Sequence, residues 1–187
     1  MSTAITGISA LAGSDSLQLP EEYCEPRWYA AYTRANHEKR VSEQFGGGRV
    51  EHFLPLYSSV RRWKDRRVTL EMPLFPGYVF VRIALRDRLR VLQIPGVARL
   101  VGFNGTPAAL PSDEIEALRA SLVEGVKVQP HRYLVAGQRV SLRSGPLVGL
   151  TGILVRQKGK TRFVISVDLI QRSVAVELDE ADLVAER

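Results

Sequence analysis

The chain has 187 residues, of which 45% are apolar and 25% charged, with 26 Lys and Arg against 20 Asp and Glu for a formal net charge of +6. Those proportions belong to an ordinary globular protein with room for one medium domain or two small ones, and no run resembles a membrane span. The single cysteine, Cys24, excludes an internal disulfide, so a reducing cytoplasm is the default compartment.

Residues 1–26 hold no Lys or Arg and four acids, Asp15, Glu21, Glu22 and Glu25. They lack the positive start of a signal peptide and read as a flexible tail. All 26 basic residues therefore face only 16 acids in the remainder, a net of +10. That excess suits a partner carrying phosphates, and it is equally a common solubility device.

From residue 27 the pattern alternates between strand and helix. Residues 27–33 (RWYAAYT) predict a strand and 36–45 a short helix, with Asn36 as its cap and the glycines at 46–48 as its stop. A second strand, 50–57, is interrupted by Pro55, which implies an edge or a bend. Residues 60–70 (VRRWKDRRVTL) read as two arms around a tight turn near Lys64 and Asp65, with five cations between Arg61 and Arg67. A short amphipathic helix follows over 85–93 and a strand over 97–103. Ser112 then caps a helix whose first turn holds Asp113 and Glu114 and whose Ile115, Leu118 and Leu122 recur on one face. The class is α+β.

Between the hairpin and the 85–93 helix lies the most informative stretch, residues 73–83 (PLFPGYVFVRI). Pro76 fixes one backbone angle, Gly77 tolerates conformations that other residues avoid, and the strand from Tyr78 alternates faces. Tyr78 and Phe80 share one side, and Val79, Val81 and Ile83 the other. If helices cover only one face of the sheet, the aliphatic row is buried and the aromatic pair is left as a contact surface. The same pattern also fits two buried rows.

Residues 124–136 show no sustained periodicity and contain Pro130, and they read as a linker with some extended character. From 137 onward the pattern is purely strand-like. Val140 and Leu142 alternate with polar neighbours, Phe163, Ile165, Val167 and Leu169 form one period-two row, and Val174, Val176 and Leu178 form another. About fifty residues of this kind fit a small SH3-like β-barrel, and the glycines of SGPLVGLTG (144–152) permit the bends that close it.

Taken in order, WYAAYT, PLFPGYVFVRI, GVARLVGF (96–103) and the glycine-rich 144–152 segment, which resembles a KOW motif, are similar to the NusG family of transcription elongation factors, from about residue 28 to 186. PLFPGYVFV and GFNGTPAALP (102–111) resemble more closely the RfaH-like paralogues and the antiterminators of polysaccharide operons. Against that pattern, Arg88, Leu89, Arg90 and Val91 stand where RfaH has a threonine-rich stretch, and Ile94 and Pro95 where it has polar DNA-contacting residues. The resemblance implies an NGN-type α/β sandwich over 27–123 and a KOW barrel over 137–187. The first would lay a hydrophobic patch on the clamp helices of RNA polymerase and suppress pausing or termination. By motif the patch comprises Tyr32, Tyr78 and Phe80, with Phe75 and Pro76 shaping it.

The resemblance also implies that Arg34, His37, Lys39, Arg40 and Gln44, which begin, flank or lie within the first helix, approach the non-template DNA strand, a role that guanidinium groups suit through phosphate contact or base stacking. Leu147 and Ile170 of the barrel would meet a small-subunit ribosomal protein or the termination factor Rho. The protein is expected to act as a monomer, without membrane, metal or cofactor. His37, His52 and His131 lie in different elements without metal-ligand spacing, and SGPLVG lacks the ending of a phosphate-binding loop, so an enzyme is not expected. The competing function is a ribosome-associated RNA-binding KOW protein.

Overall fold

The structure, a computed structural model, describes residues 21–63, 66–123, 128–131, 137–143, 148–157, 160–167, 170–177 and 183–185. Strand β1 (Arg27–Thr33) lies inside a four-stranded antiparallel sheet with β2 (Glu51–Phe53), β5 (Tyr78–Ile83) and β6 (Val97–Leu100), in the order β2-β5-β1-β6. Helices α2 (Glu38–Gly47) and α3 (Arg88–Leu92) cover one face. There Val41, Phe45 and Val91 pack with Tyr29, Ala31, Val79, Val81 and Ile83.

The opposite face is covered too, which corrects the expectation that helices cover only one. Helix α4 (Ser112–Val123) sets Ile115 and Leu118 in one cluster with Trp28, Ala30, Phe75 and Phe80. Each large side chain closed off in this way contributes about 1.5–3 kcal/mol of transfer free energy. Arg119 ties α4 to the sheet, its guanidinium 5.4 Å from the Trp28 ring centroid and 5.5 Å from that of Phe53. It also pairs with Glu51 and Glu116, and the Trp28 indole donates to Glu116.

Local chemistry accounts for where the elements begin and end. Helix α2 starts two residues later than the sequence implies, because Asn36 takes a left-handed conformation (φ 60°) and His37 becomes the N-cap, with no side-chain capping bond. Gly46 and Gly47 stay inside the helix, and Arg49 (φ 53°) makes the left-handed exit. Pro55 is where the chain leaves the sheet. Beyond it, β3 (Leu56–Trp63) and β4 (Arg66–Pro73) pair only with each other among the described residues, in register from Leu56↔Pro73 to Trp63↔Arg66. The strand expected over 97–103 is split, since β7 (Gly102–Phe103) turns through Asn104 and Gly105, both at positive φ, to pair with β8 (Thr106–Pro107).

Residues 21–26, read with the tail, hold a short helix. Helix α1 (Glu21–Cys24) is a single turn, and Tyr23 packs against the α2-side cluster. The segment read as a linker contributes β9 (Val128–His131), paired with β13 (Arg172–Glu177). With β10 (Gln138–Leu142), β11 (Thr151–Gln157), β12 (Lys160–Val167) and β14 (Leu183–Ala185) it forms a six-stranded antiparallel sheet, β14-β10-β11-β12-β13-β9, the SH3-like β part of the α+β fold. Phe163, Ile165, Val167, Val174 and Val176 line its interior with Val140 and Leu142. A Cβ on Gly152 would stand 2.5 Å from the Phe163 ring, so only glycine fits that crossing. Leu169 and Leu178 lie outside the described residues.

Candidate functional site

Antiparallel pairing sets Tyr32 opposite Tyr78 across β1 and β5, and Arg99 opposite Tyr32 across β1 and β6. The three side chains therefore form a row over adjacent strands on the α4 side of the sheet. The Tyr32 and Tyr78 rings lie 5.4 Å apart at 55°, and the Arg99 guanidinium sits 5.1 Å from the Tyr32 ring centroid. Tyr32 is 37% exposed, Tyr78 half-buried and Arg99 exposed. The row thus ends the sheet as an aromatic surface with a cation already stacked on it.

One register step inward the same face is closed. Phe80, opposite Ala30, has no exposed surface; it meets Phe75 edge-on at 5.4 Å and stacks on Phe53 at 6.3 Å. Phe75 is buried as well, and Pro76 is exposed. Of the five residues read as a contact patch, Tyr32, Pro76 and Tyr78 reach the surface. Phe80 does not, because α4 covers the half of the face on which it lies, and with Phe75 it supports the row from beneath.

The row is held by the turn from Phe75 to Tyr78. The Tyr78 N–H donates to the Phe75 carbonyl at 3.1 Å, with Pro76 at the second position and Gly77 (φ 87°) at the third, the type II arrangement. The Thr33 N–H donates to the Gly77 carbonyl and the Arg34 N–H to the Gly96 carbonyl, both at 2.8 Å, so the end of β1 is pinned to two glycine turns. On the other side of Gly77, its N–H donates to Glu38 Oε1 at 2.7 Å, and that carboxylate is buried at the start of α2.

The residues named at the first helix, of which Arg34 precedes α2 and His37 caps it, split by environment. Arg34, Lys39 and Arg40 are exposed and make no ion pair among the described residues. Gln44 is half-buried, as is His37, whose Nδ1 lies 3.0 Å from the Ala35 carbonyl oxygen. Arg61, Arg62, Arg66 and Arg67 on the β3–β4 ribbon are exposed too. In the second sheet Leu147 lies outside the described residues. Ile170, expected in an exposed loop, is only 4% exposed and joins the interior cluster, so it offers no contact surface in this conformation.

Two participants escaped the sequence reading. Arg99 lies inside the GVARLVGF segment, but nothing in that motif marks it for the site, and only the pairing of β6 with β1 brings it onto Tyr32. Glu38 did leave a signal, since it precedes Val41 by three and Phe45 by seven, which places an acid on the buried stripe of α2. Among the described residues no group of three or more His, Cys, Asp or Glu could hold a metal, and no helix is long and apolar enough to cross a membrane.

The fold is thus an α+β one, an α/β sandwich with an aromatic row open at one end of its sheet, followed along the chain by a six-stranded antiparallel sheet. The family model described as transcription termination factor nusG matches residues 26–119, half of the chain, and the chain belongs to the NusG family. It is 28% identical over 172 residues to the transcription termination/antitermination protein NusG of Escherichia coli K12, covering 82% of this chain and 92% of that one. To the Rickettsia bellii protein of the same name it is 24% identical over 164 residues, covering 81% and 86%. The solved structure described as domain interaction in Thermotoga maritima NusG has the same fold, with a TM-score of 0.54 at 19% identity over 86% of this chain and 97% of that one.

Proposed function

We propose that the protein is a transcription elongation and antitermination factor that binds RNA polymerase through the Tyr78–Tyr32–Arg99 row and suppresses pausing or termination. The observation that carries this reading is the exposed row itself, in a chain of the NusG family. Aromatic side chains bury large area at low entropic cost, and a guanidinium stacked on one of them is set to meet an acidic or carbonyl group of the partner. The clamp helices of the largest polymerase subunit are the intended partner. Pro76 borders the row, while Phe75 and Phe80 keep its floor rigid. Arg34, Lys39 and Arg40 follow the same end of β1 and supply cations for the non-template strand. The second sheet recruits a small-subunit ribosomal protein or Rho, and the protein makes or breaks no covalent bond.

The test is binding of the full chain to core RNA polymerase. Replacing Tyr32 and Tyr78 together by Ala removes two anchors that cost about 2–4 kcal/mol, well over tenfold in affinity, while leaving the melting temperature near that of the parent. A folded double variant that binds polymerase like the parent sinks the reading. Co-purification with ribosomal subunits in place of polymerase would favour the ribosome-associated alternative.

A further inference from the structure

We infer that Glu38 is a positioning residue for the aromatic row, acting through the Gly77 amide; this rests on the polymerase-binding reading above. Glu38 is 5% exposed and its Oε1 accepts the Gly77 N–H at 2.7 Å. That N–H belongs to the central peptide of the Phe75–Tyr78 turn, the Pro76–Gly77 unit, and the orientation of this unit is what separates a type II turn from a type I turn. A buried acceptor aimed at the N–H fixes the orientation. The carbonyl of Gly77 is held by Thr33, so both polar groups of the glycine are engaged, one by the end of β1 and one by the start of α2.

The turn backbone lies directly against the row. A Cβ on Gly77 would stand 3.3 Å from Tyr32 Cε2, and Tyr78 is the next residue in the chain. If the peptide turns over, the floor under Tyr32 and the root of Tyr78 shift together. Loss of the acceptor also leaves a buried N–H unsatisfied, which biases the turn toward conformations that expose it. Glu38 never reaches the surface row, and it acts by selecting the conformation in which the two rings meet at 5.4 Å.

Four full-length variants test this against polymerase binding and the Gly77 amide resonance. Glu38→Ala removes the acceptor and is expected to weaken binding about tenfold and move the Gly77 resonance strongly. Glu38→Asp keeps a charge at the helix start yet falls one methylene short, and is expected to behave like Glu38→Ala; it also serves if the alanine variant does not fold. Glu38→Gln retains an oxygen acceptor at the same reach and is expected to restore affinity to within about twofold of the parent. Full affinity or an unmoved Gly77 resonance in the folded Asp variant overturns the inference, as does a Gln variant no better than Asp. Tyr32→Ala with Tyr78→Ala is the fourth. If it binds like the parent, the row is not the polymerase site, and the Gly77 resonance alone then decides whether Glu38 sets the turn.

Discussion

The two ends of one sheet face have opposite fates. At one end Trp28, Ala30 and Phe80 are packed in one cluster with Ile115 and Leu118 of α4 and have no exposed surface, while at the other Tyr32 and Tyr78 of the same two strands, with Arg99 of the adjacent β6, reach solvent. Residue class does not separate them, since both ends are aromatic. What separates them is the placement of α4, a helix from a later part of the chain, which spans only part of the face. On the proposed function the covered end carries stability and the open end recognition, so substitutions only two residues apart along β5 should be read out by different measurements.

The strongest way to break that division is at the covered end. Phe80→Ala removes a fully buried ring that stacks on Phe53 and meets Phe75 edge-on, and is expected to cost about 3–5 kcal/mol in urea unfolding. A loss below about 1 kcal/mol would mean that α4 does not seal this face. Next comes Arg119→Ala, which removes the guanidinium that stacks on Trp28 and Phe53 and pairs with Glu51 and Glu116. Because Arg119 is partly solvated, about 1–2 kcal/mol of stability is expected to go, with polymerase affinity unchanged. An affinity loss at constant stability would put Arg119 on the recognition side.

At the open end the effects invert. Arg99→Ala is expected to leave unfolding within about 0.5 kcal/mol of the parent and to weaken polymerase binding by about 0.5–1 kcal/mol. Equal affinity in a titration would confine recognition to the two tyrosines. Smallest at physiological salt is the paired change Arg34→Ala and Arg40→Ala, expected to flatten the salt dependence of crosslinking to the non-template strand by up to about one logarithmic unit for each phosphate that is no longer neutralised. Full crosslinking that disappears only when the β3–β4 ribbon cations are removed would move the DNA-facing surface to the ribbon.

Much of this was legible in the sequence where one local rule decides. The alternation from Tyr78 to Ile83 sorted the faces correctly, with Val79, Val81 and Ile83 buried under α2 and α3. Ile115 and Leu118 announced the buried stripe of α4, and the Phe-Pro-Gly turn follows from the backbone preferences of Pro76 and Gly77. Long-range placement was not legible. Nothing near Phe80 tells that it is sealed in the cluster with Ile115 and Leu118 while Tyr78 stays partly exposed, and nothing near Arg99 gives its register against Tyr32. Ile170 failed for a related reason, because a loop residue beside a strand can point in or out and its neighbours do not decide which. The family resemblance carried the roles, and the pairing of strands decided which residues could fill them.

The β3–β4 ribbon behaves differently from either end of the sheet. Each of its strands has one neighbour among the described residues, and side chains such as Val60 and Leu70 remain exposed along it. Two paired strands without a third have little local stability of their own. Its amides are therefore expected to exchange with deuterium far sooner than those of β1 and β5, through openings that leave the four-stranded sheet intact. The root resists, because the Leu74 N–H donates to the Pro55 carbonyl at 2.8 Å, just before the turn at Phe75. Protection should thus rise from the arginine-rich tip toward that bond, so that the ribbon can fray and re-form while the aromatic row beyond its root keeps its shape.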